Sequence, residues 1–120
     1  MKLGFIGCGN MGTAMVKGVL DSGKCTKEEI MISTKSESSL ENKKKVLGVL
    51  TTTENARVAE FADILFLAVK PQFYAEVIAQ IKDVVSEEKI VISIAPGKTL
   101  EWLSEQFGKE MKIIRTMPNT

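Results

Sequence analysis

Short apolar runs alternate along this chain with longer stretches in which apolar side chains return every three or four positions. The runs predict strands at Leu3–Ile6, Ile30–Ser33, 49–52, 64–69, 90–94 and Lys112–Arg115. The periodic stretches predict helices over 13–22, 40–47 and 54–62. A fourth follows Pro71 and carries Val77, Ile78, Ile81, Val84 and Val85 as one stripe, and a fifth follows Thr99 with Leu100, Leu103 and Phe107. In the first helix Met11, Ala14, Met15, Gly18 and Val19 share a face, and Gly23 is placed to close it with a left-handed cap. Thr26-Lys27-Glu28-Glu29 has the form of a capping box around a short turn. Gly48 ends the second helix, and Thr53 is placed to cap the third, with Val58, Phe61 and Ala62 turned inward. The unbroken apolar run 64–69 suits a central parallel strand buried on both faces. Strands separated by helices of this length predict an α/β fold: a doubly wound parallel sheet with helices on both faces and right-handed crossovers.

The first strand-to-helix junction reads Gly7-Cys8-Gly9-Asn10-Met11-Gly12. A GxGxxG in this position is the signature of a dinucleotide site in a Rossmann-type sheet. The first glycine permits the tight turn, the second lets the backbone approach the pyrophosphate, and the third lets helix and strand pack closely. The helix start then offers unpaired N–H groups and the positive end of its dipole to an anion. Cys8 reads as a small side chain tolerated inside the loop.

Composition narrows the remaining classes. A chain of 120 residues suits one domain, 1–120, with a single core. Sixteen Lys and Arg against fifteen Asp and Glu leave a net charge of +1, which gives no support for nucleic acid as a partner. The run Lys43-Lys44-Lys45, flanked by Glu37 and Glu41, reads as a solvated helix face. No apolar segment approaches the ~20 residues that span a membrane, and the N-terminus lacks the apolar core of a signal peptide. Two cysteines make neither a disulfide framework nor a zinc site, so the expected setting is reducing and cytoplasmic. The chain has no histidine, so it can build no Ser-His-Asp triad, no Cys-His pair and no histidine metal site; no metal is expected. Difficult chemistry would then belong to a cofactor.

In an open α/β sheet, ligands lie beyond the carboxyl ends of the strands. Those ends carry the glycine loop, then Ser33-Thr34-Lys35-Ser36, Ala68-Val69-Lys70-Pro71, Ile94-Ala95-Pro96-Gly97, and the segment from Arg115 to Asn119. An NAD site usually places an acid ~20 residues past the glycines, on the ribose hydroxyls. Here that region holds Ser33, Thr34 and Lys35, and Glu37 comes later. Two hydroxyls and an ammonium can donate to a 2′-phosphate that an acid would repel. The expected cofactor is NADP, with NADPH preferred over NADH. Lys70 reads as a cofactor-positioning residue rather than a proton donor, its stem on the sheet edge and its head free to meet phosphate.

Four blocks together, Phe5-Ile6-Gly7-Cys8-Gly9-Asn10-Met11-Gly12, Leu67-Ala68-Val69-Lys70-Pro71, Ser93-Ile94-Ala95-Pro96-Gly97 and Ile114-Arg115-Thr116-Met117-Pro118-Asn119-Thr120, resemble the N-terminal domain of the pyrroline-5-carboxylate reductases. The resemblance runs through the whole chain. The related 6-phosphogluconate and 3-hydroxyisobutyrate dehydrogenase-like proteins share only the glycine fingerprint and the general layout. The resemblance implies an oxidoreductase that reduces 1-pyrroline-5-carboxylate to L-proline with NAD(P)H, the last step of proline biosynthesis. It implies cofactor contacts from Ile6, Gly7, Cys8, Gly9, Asn10, Met11 and Gly12, and from the Ser33, Thr34 and Lys35 region. It adds Asn55 at the adenosine end, with Ala68, Val69, Lys70, Pro71, Ile94, Ala95 and Pro96 running towards the nicotinamide. Met117, Pro118 and Asn119 would adjoin the substrate, and the catalytic residues stay unassigned.

Two departures from the family pattern stand out. Ala95-Pro96-Gly97 replaces the common Ala-Ala-Gly, and the proline removes a backbone donor. Members of the family also continue into a helical C-terminal domain that makes a homodimer or larger homo-oligomer and supplies most of the substrate pocket. The expectation is a fragment that binds NADPH and is nearly inactive as a reductase. The alternatives are a non-catalytic dinucleotide-binding regulatory module and the cofactor domain of a β-hydroxyacid dehydrogenase.

Overall fold

The computed structural model describes residues 1–7, 9–94 and 98–116, and at Asn10 and Met11 the backbone alone. The described residues form six parallel strands: β1 (Leu3–Ile6), β2 (Ile30–Ser33), β3 (Leu50–Thr52), β4 (Ile64–Leu67), β5 (Ile90–Ser93) and β6 (Lys112–Arg115). They lie in one sheet in the order β3-β2-β1-β4-β5-β6. Five helices connect them: α1 (Asn10–Ser22), α2 (Glu37–Leu47), α3 (Asn55–Phe61), α4 (Tyr74–Ile81) and α5 (Leu100–Phe107). This is the expected doubly wound sheet, and its strand order reverses between β1 and β4.

Alternation along the strands divides the core into two layers. Leu3 and Phe5 of β1 join Ile30, Ile32, Leu47 and Val16 on the α1–α2 side. Ile6, Leu65, Leu67 and Val91 join Val58, Ile78, Ile81 and Leu103 on the side of α3, α4 and α5. Gly4 lets α3 sit against the sheet, since a Cβ there would lie 2.6 Å from Val58 Cγ1 and 2.8 Å from Ala62 Cβ. The cover on the α1–α2 side thins across one register row: Phe5 is buried, Phe66 and Ile92 are half-buried, and Ile114 is 49% exposed. β4 is therefore central but not fully covered on both faces.

The helix ends follow local chemistry. Gly23, Gly48 and Gly108 close α1, α2 and α5 in left-handed caps with φ of 74°, 70° and 70°. Thr26 and Glu29 make the expected capping box around a short 3₁₀ turn. The Thr26 backbone N–H, and then the ammonium of Met1 at 3.1 Å, hold the Glu29 carboxyl below its ordinary value of 4.5. Lys89 donates to the Ala59 and Glu60 carbonyls at the end of α3, and burial pushes its ammonium below its ordinary range. The single tryptophan, Trp102 on α5, packs against the core, with the Lys98 ammonium 4.2 Å from its ring centroid.

Several boundaries and faces differ from the sequence reading. α1 begins at Asn10 rather than 13, and it turns Met15, Val16, Val19 and Leu20 inward, while Ala14 and Gly18 are exposed. α2 begins at Glu37 because Ser36 caps it, its Oγ accepting the Ser39 N–H. Thr53 does not cap α3; the helix starts after Glu54, and Thr52 Oγ1 accepts the Glu54 N–H instead. Phe61 is half-buried, with the Lys2 ammonium 5.2 Å from its ring centroid. β4 and β5 are shorter than 64–69 and 90–94, because the chain leaves the ladder at their carboxyl ends. Thr99 caps α5 as expected, but Leu100 points outward, 47% exposed.

Candidate functional site

The carboxyl ends of β1, β2 and β4 surround two adjoining cavities at the point where the strand order reverses. The first, about 370 Å³, is lined by Ser33, Thr34 and Lys35, with Thr53, Asn55 and the α4 side chains Glu76, Val77 and Gln80. The second, about 510 Å³, runs from Gly9 across to Ala68 and Lys70, with Ser39, Lys43 and Gln72. Gly7, Thr34, Lys35, Val69 and Phe73 line both, so the two form one cleft.

The glycine loop shapes the cleft in two ways. Gly7 has φ +81°, and a Cβ there would run into Val69 Cγ1 and come within 3.0 Å of the Val69 backbone. A Cβ on Gly9 would meet nothing within 4 Å. Gly7 therefore answers a steric demand of the fold, and Gly9 leaves the mouth of the cleft open. Gly12 is buried. α1 follows directly on Gly9, its N-cap residue, which lines the cleft; with no acidic residue in the first turn, no carboxylate of the helix competes for its free N–H groups and positive dipole end.

A hydrogen-bond relay ties the loop to the first cavity. The Gly7 N–H donates to Ser33 Oγ at 3.3 Å, Ser33 Oγ donates to Asn55 Oδ1 at 2.7 Å, and Asn55 Nδ2 donates to Gln80 Oε1 at 2.7 Å. Each partner fixes the next, so the relay sets the orientation of the Asn55 amide and holds the turn after β1. At the end of β4, the buried Tyr74 hydroxyl donates to the Leu67 carbonyl at 2.7 Å and accepts from Ser93 Oγ at 3.1 Å. That pins the start of α4 to β4 and β5 and fixes the far wall.

Charge differs between the two halves of the cleft: Glu76 lines the first cavity along with Lys35, and the second is purely basic among its described residues. The second cavity carries Lys35, Lys43 and Lys70, and none of its described lining residues is an acid. The Lys35 ammonium rests 3.3 Å from the Phe73 ring centroid, a cation–π contact between the two cavities. Such donors and such a charge suit phosphate groups, and the open side of Gly9 gives them backbone access. The residues present therefore fit a dinucleotide.

Of the residues singled out from sequence, Gly7, Gly9, Ser33, Thr34, Lys35, Asn55, Ala68, Val69 and Lys70 line the cleft. Ile6 does not: it is buried in the core beneath. Ile94 is buried at the end of β5 and Pro71 opens a 3₁₀ turn; neither lines a described cavity. Cys8, Ala95, Pro96, Met117, Pro118 and Asn119, and the side chains of Asn10 and Met11, lie outside the described residues. Sequence reasoning missed Phe73, Glu76, Val77 and Gln80 as one wall. Their i, i+3, i+4, i+7 spacing is the available signal, but Val77 also belongs to the apolar stripe of the core face, and the mixed character of the other three gives no periodic pattern of its own. It also read Lys43 as solvated, whereas Lys43 is half-buried and donates to Thr13 Oγ1 at 2.8 Å.

The sequence matches the family described as "NADP oxidoreductase coenzyme F420-dependent" over residues 2–97. It is 40% identical over 119 residues to the pyrroline-5-carboxylate reductase of Escherichia coli, covering 99% of this chain and 44% of that protein. The solved pyrroline-5-carboxylate reductase of Coxiella burnetii superposes with a TM-score of 0.93 at 38% identity, covering 99% of this chain and 44% of that one. The Plasmodium falciparum pyrroline carboxylate reductase, solved with NADP bound, superposes with a TM-score of 0.86 at 34% identity, over 99% of this chain and 42% of that one. The chain thus spans less than half the length of the relatives it matches.

Proposed function

The chain belongs to the coenzyme F420-dependent NADP oxidoreductase family, and from that premise we propose that it is the NADP-binding domain, 1–120, of a pyrroline-5-carboxylate reductase. The observation that carries this reading is the single cleft at the β1–β4 reversal, with an open glycine turn at one side and three lysines along it. The backbone of the glycine loop and the first turn of α1 hold the pyrophosphate. Ser33, Thr34 and Lys35 take the ribose and its 2′-phosphate, and Asn55 stands at the adenosine end, its amide fixed by Ser33 and Gln80. Ala68, Val69 and Lys70 carry the cofactor past the end of β4 towards the reacting centre.

When bound, NADPH supplies the hydride that reduces the C=N bond of 1-pyrroline-5-carboxylate to give L-proline. The chain's own part is to bind and orient. The end of β4, pinned through Tyr74, presents a fixed wall, and the Lys70 ammonium adds positive charge along it to position the cofactor. Lys35 makes the choice of cofactor electrostatic. It leaves the Phe73 ring for a 2′-phosphate, and NADH offers it no such partner.

Titration calorimetry with both cofactors tests the binding reading. NADPH binds more tightly than NADH, and Lys35→Ala weakens NADPH by about tenfold, in line with one lost charge-assisted hydrogen bond. Equal or tighter binding of NADH overturns the NADP assignment. The reductase reading is tested on the protein at its natural length, by following NADPH oxidation with 1-pyrroline-5-carboxylate. Cofactor binding without turnover would leave a dinucleotide-binding module that is not this reductase.

A further inference from the structure

Lys43 stands apart from its neighbours. Lys44 and Lys45 are exposed, whereas Lys43 is half-buried and reaches 30 residues back to α1, where its Nζ donates to Thr13 Oγ1 at 2.8 Å. That contact places its ammonium against the first turn of α1, at the rim of the larger cavity. Lys35 and Lys70 line the same cavity, and no carboxylate does so among the described residues. Among those residues Lys43 makes no salt bridge. Three ammonium groups around one cavity repel one another, and a half-buried one has lost part of its hydration; an anion in the cavity relieves both costs.

The position of Lys43 selects among the anionic groups of a dinucleotide. It lies on α2, which springs from the end of β2 through the Ser36 cap. Ser39, one turn before it on the same helix face, lines the cavity too. The end of β2 is where this fold reads the adenosine ribose, whereas the pyrophosphate belongs to the backbone N–H groups of α1. We propose that Lys43, with Ser39, is a ligand for the 2′-phosphate of the cofactor, which makes α2 and not only the β2–α2 turn a determinant of cofactor choice. This inference rests on the NADP reading above and assigns a specificity role to a residue outside the strand-end loops.

The test is calorimetric titration of the chain with NADPH, NADH and adenosine 2′,5′-bisphosphate, using Lys43→Met, Lys43→Arg and Lys44→Met. Lys43→Met should weaken NADPH and the bisphosphate by about tenfold and leave NADH within about twofold. Lys43→Arg should keep most of the affinity, because a guanidinium also pairs with phosphate and preserves the charge. Lys44→Met, which removes the same charge from an exposed position, should leave the NADPH-to-NADH ratio unchanged. The proposal is overturned if Lys43→Met changes nothing, weakens NADH as much as NADPH, or is matched by Lys44→Met. The last result would mark a diffuse electrostatic effect. If the unmodified chain binds no dinucleotide, the NADP reading fails and this proposal with it. If it binds both cofactors and only the Lys43→Met ratio stays flat, the Lys43 assignment alone falls. Thermal unfolding of each variant separates lost binding from lost folding.

Discussion

Gly7 and Gly9 are two residues apart and do different work. A side chain on Gly7 collides with Val69, and its φ of +81° is strained for any other residue. A side chain on Gly9 enters open space at the mouth of the cleft. Gly7→Ala is therefore expected to lower unfolding free energy by about 1–3 kcal/mol. Gly9→Ala should unfold close to the parent yet bind NADPH more weakly. Denaturant melts and cofactor titrations on the pair check this, and a Gly9→Ala protein with parental affinity would count against the glycine loop as the phosphate site. The sequence made the glycine pattern legible, and with it the place of the loop. It could not show that Val69, at the end of β4, is what enforces the first glycine, because that contact exists only once β4 lies beside β1. Asn55 is similar: its position was readable through the resemblance, but the relay from Gly7 through Ser33 to Gln80 depends on the turn after β1 meeting β2, α3 and α4.

At the scale of elements, the apolar pattern predicts each of the six strands and five α-helices among the described residues but misplaces several ends. The first inward residue of α2 is Leu40, so periodicity starts there, while the helix itself starts three residues earlier at Glu37. What sets the true start is Ser36, one of three closely spaced serines, and only the folded backbone shows which one caps. Ser36→Ala should cost about 1 kcal/mol of stability, the usual worth of such a cap. Equilibrium unfolding measures it, and a loss below about 0.3 kcal/mol would mean that Ser38 or Ser39 takes over the cap. The shift of face in α1 has another cause. Ala14 and Gly18 are small, so their apolar count suggested a buried stripe, but a helix lying across this sheet turns its bulkier Val16 and Leu20 inward.

Across the whole molecule, the alternation of strand and helix was enough to predict the parallel sheet and the end at which ligands collect. It could not show that one lysine of a basic run folds back onto α1, since a run of three lysines carries no phase by itself. Nor could it show how cover fades from Phe5 to Ile114, because each of those residues reads as a strand residue alike. The charge distribution has a global consequence. Net charge is +1, so the field of the cleft is local rather than a property of the protein as a whole. Raising ionic strength from about 0.05 to about 0.5 M should therefore weaken NADPH binding several-fold while the unfolding midpoint moves little. Parallel titrations and melts at both salts check this; a salt-independent affinity would argue that the lysines do not meet phosphate.

Trp102 sits on α5, packed against the core, and lines neither cavity of the cleft. Because it is the only indole in the chain, the intrinsic emission of this protein has one dominant source. Its emission wavelength reports the integrity of the α4–α5 layer. Its intensity can in addition be quenched from a distance by a reduced nicotinamide, which absorbs where an indole emits. One optical signal would thus separate into colour for folding and brightness for occupancy, with no label attached.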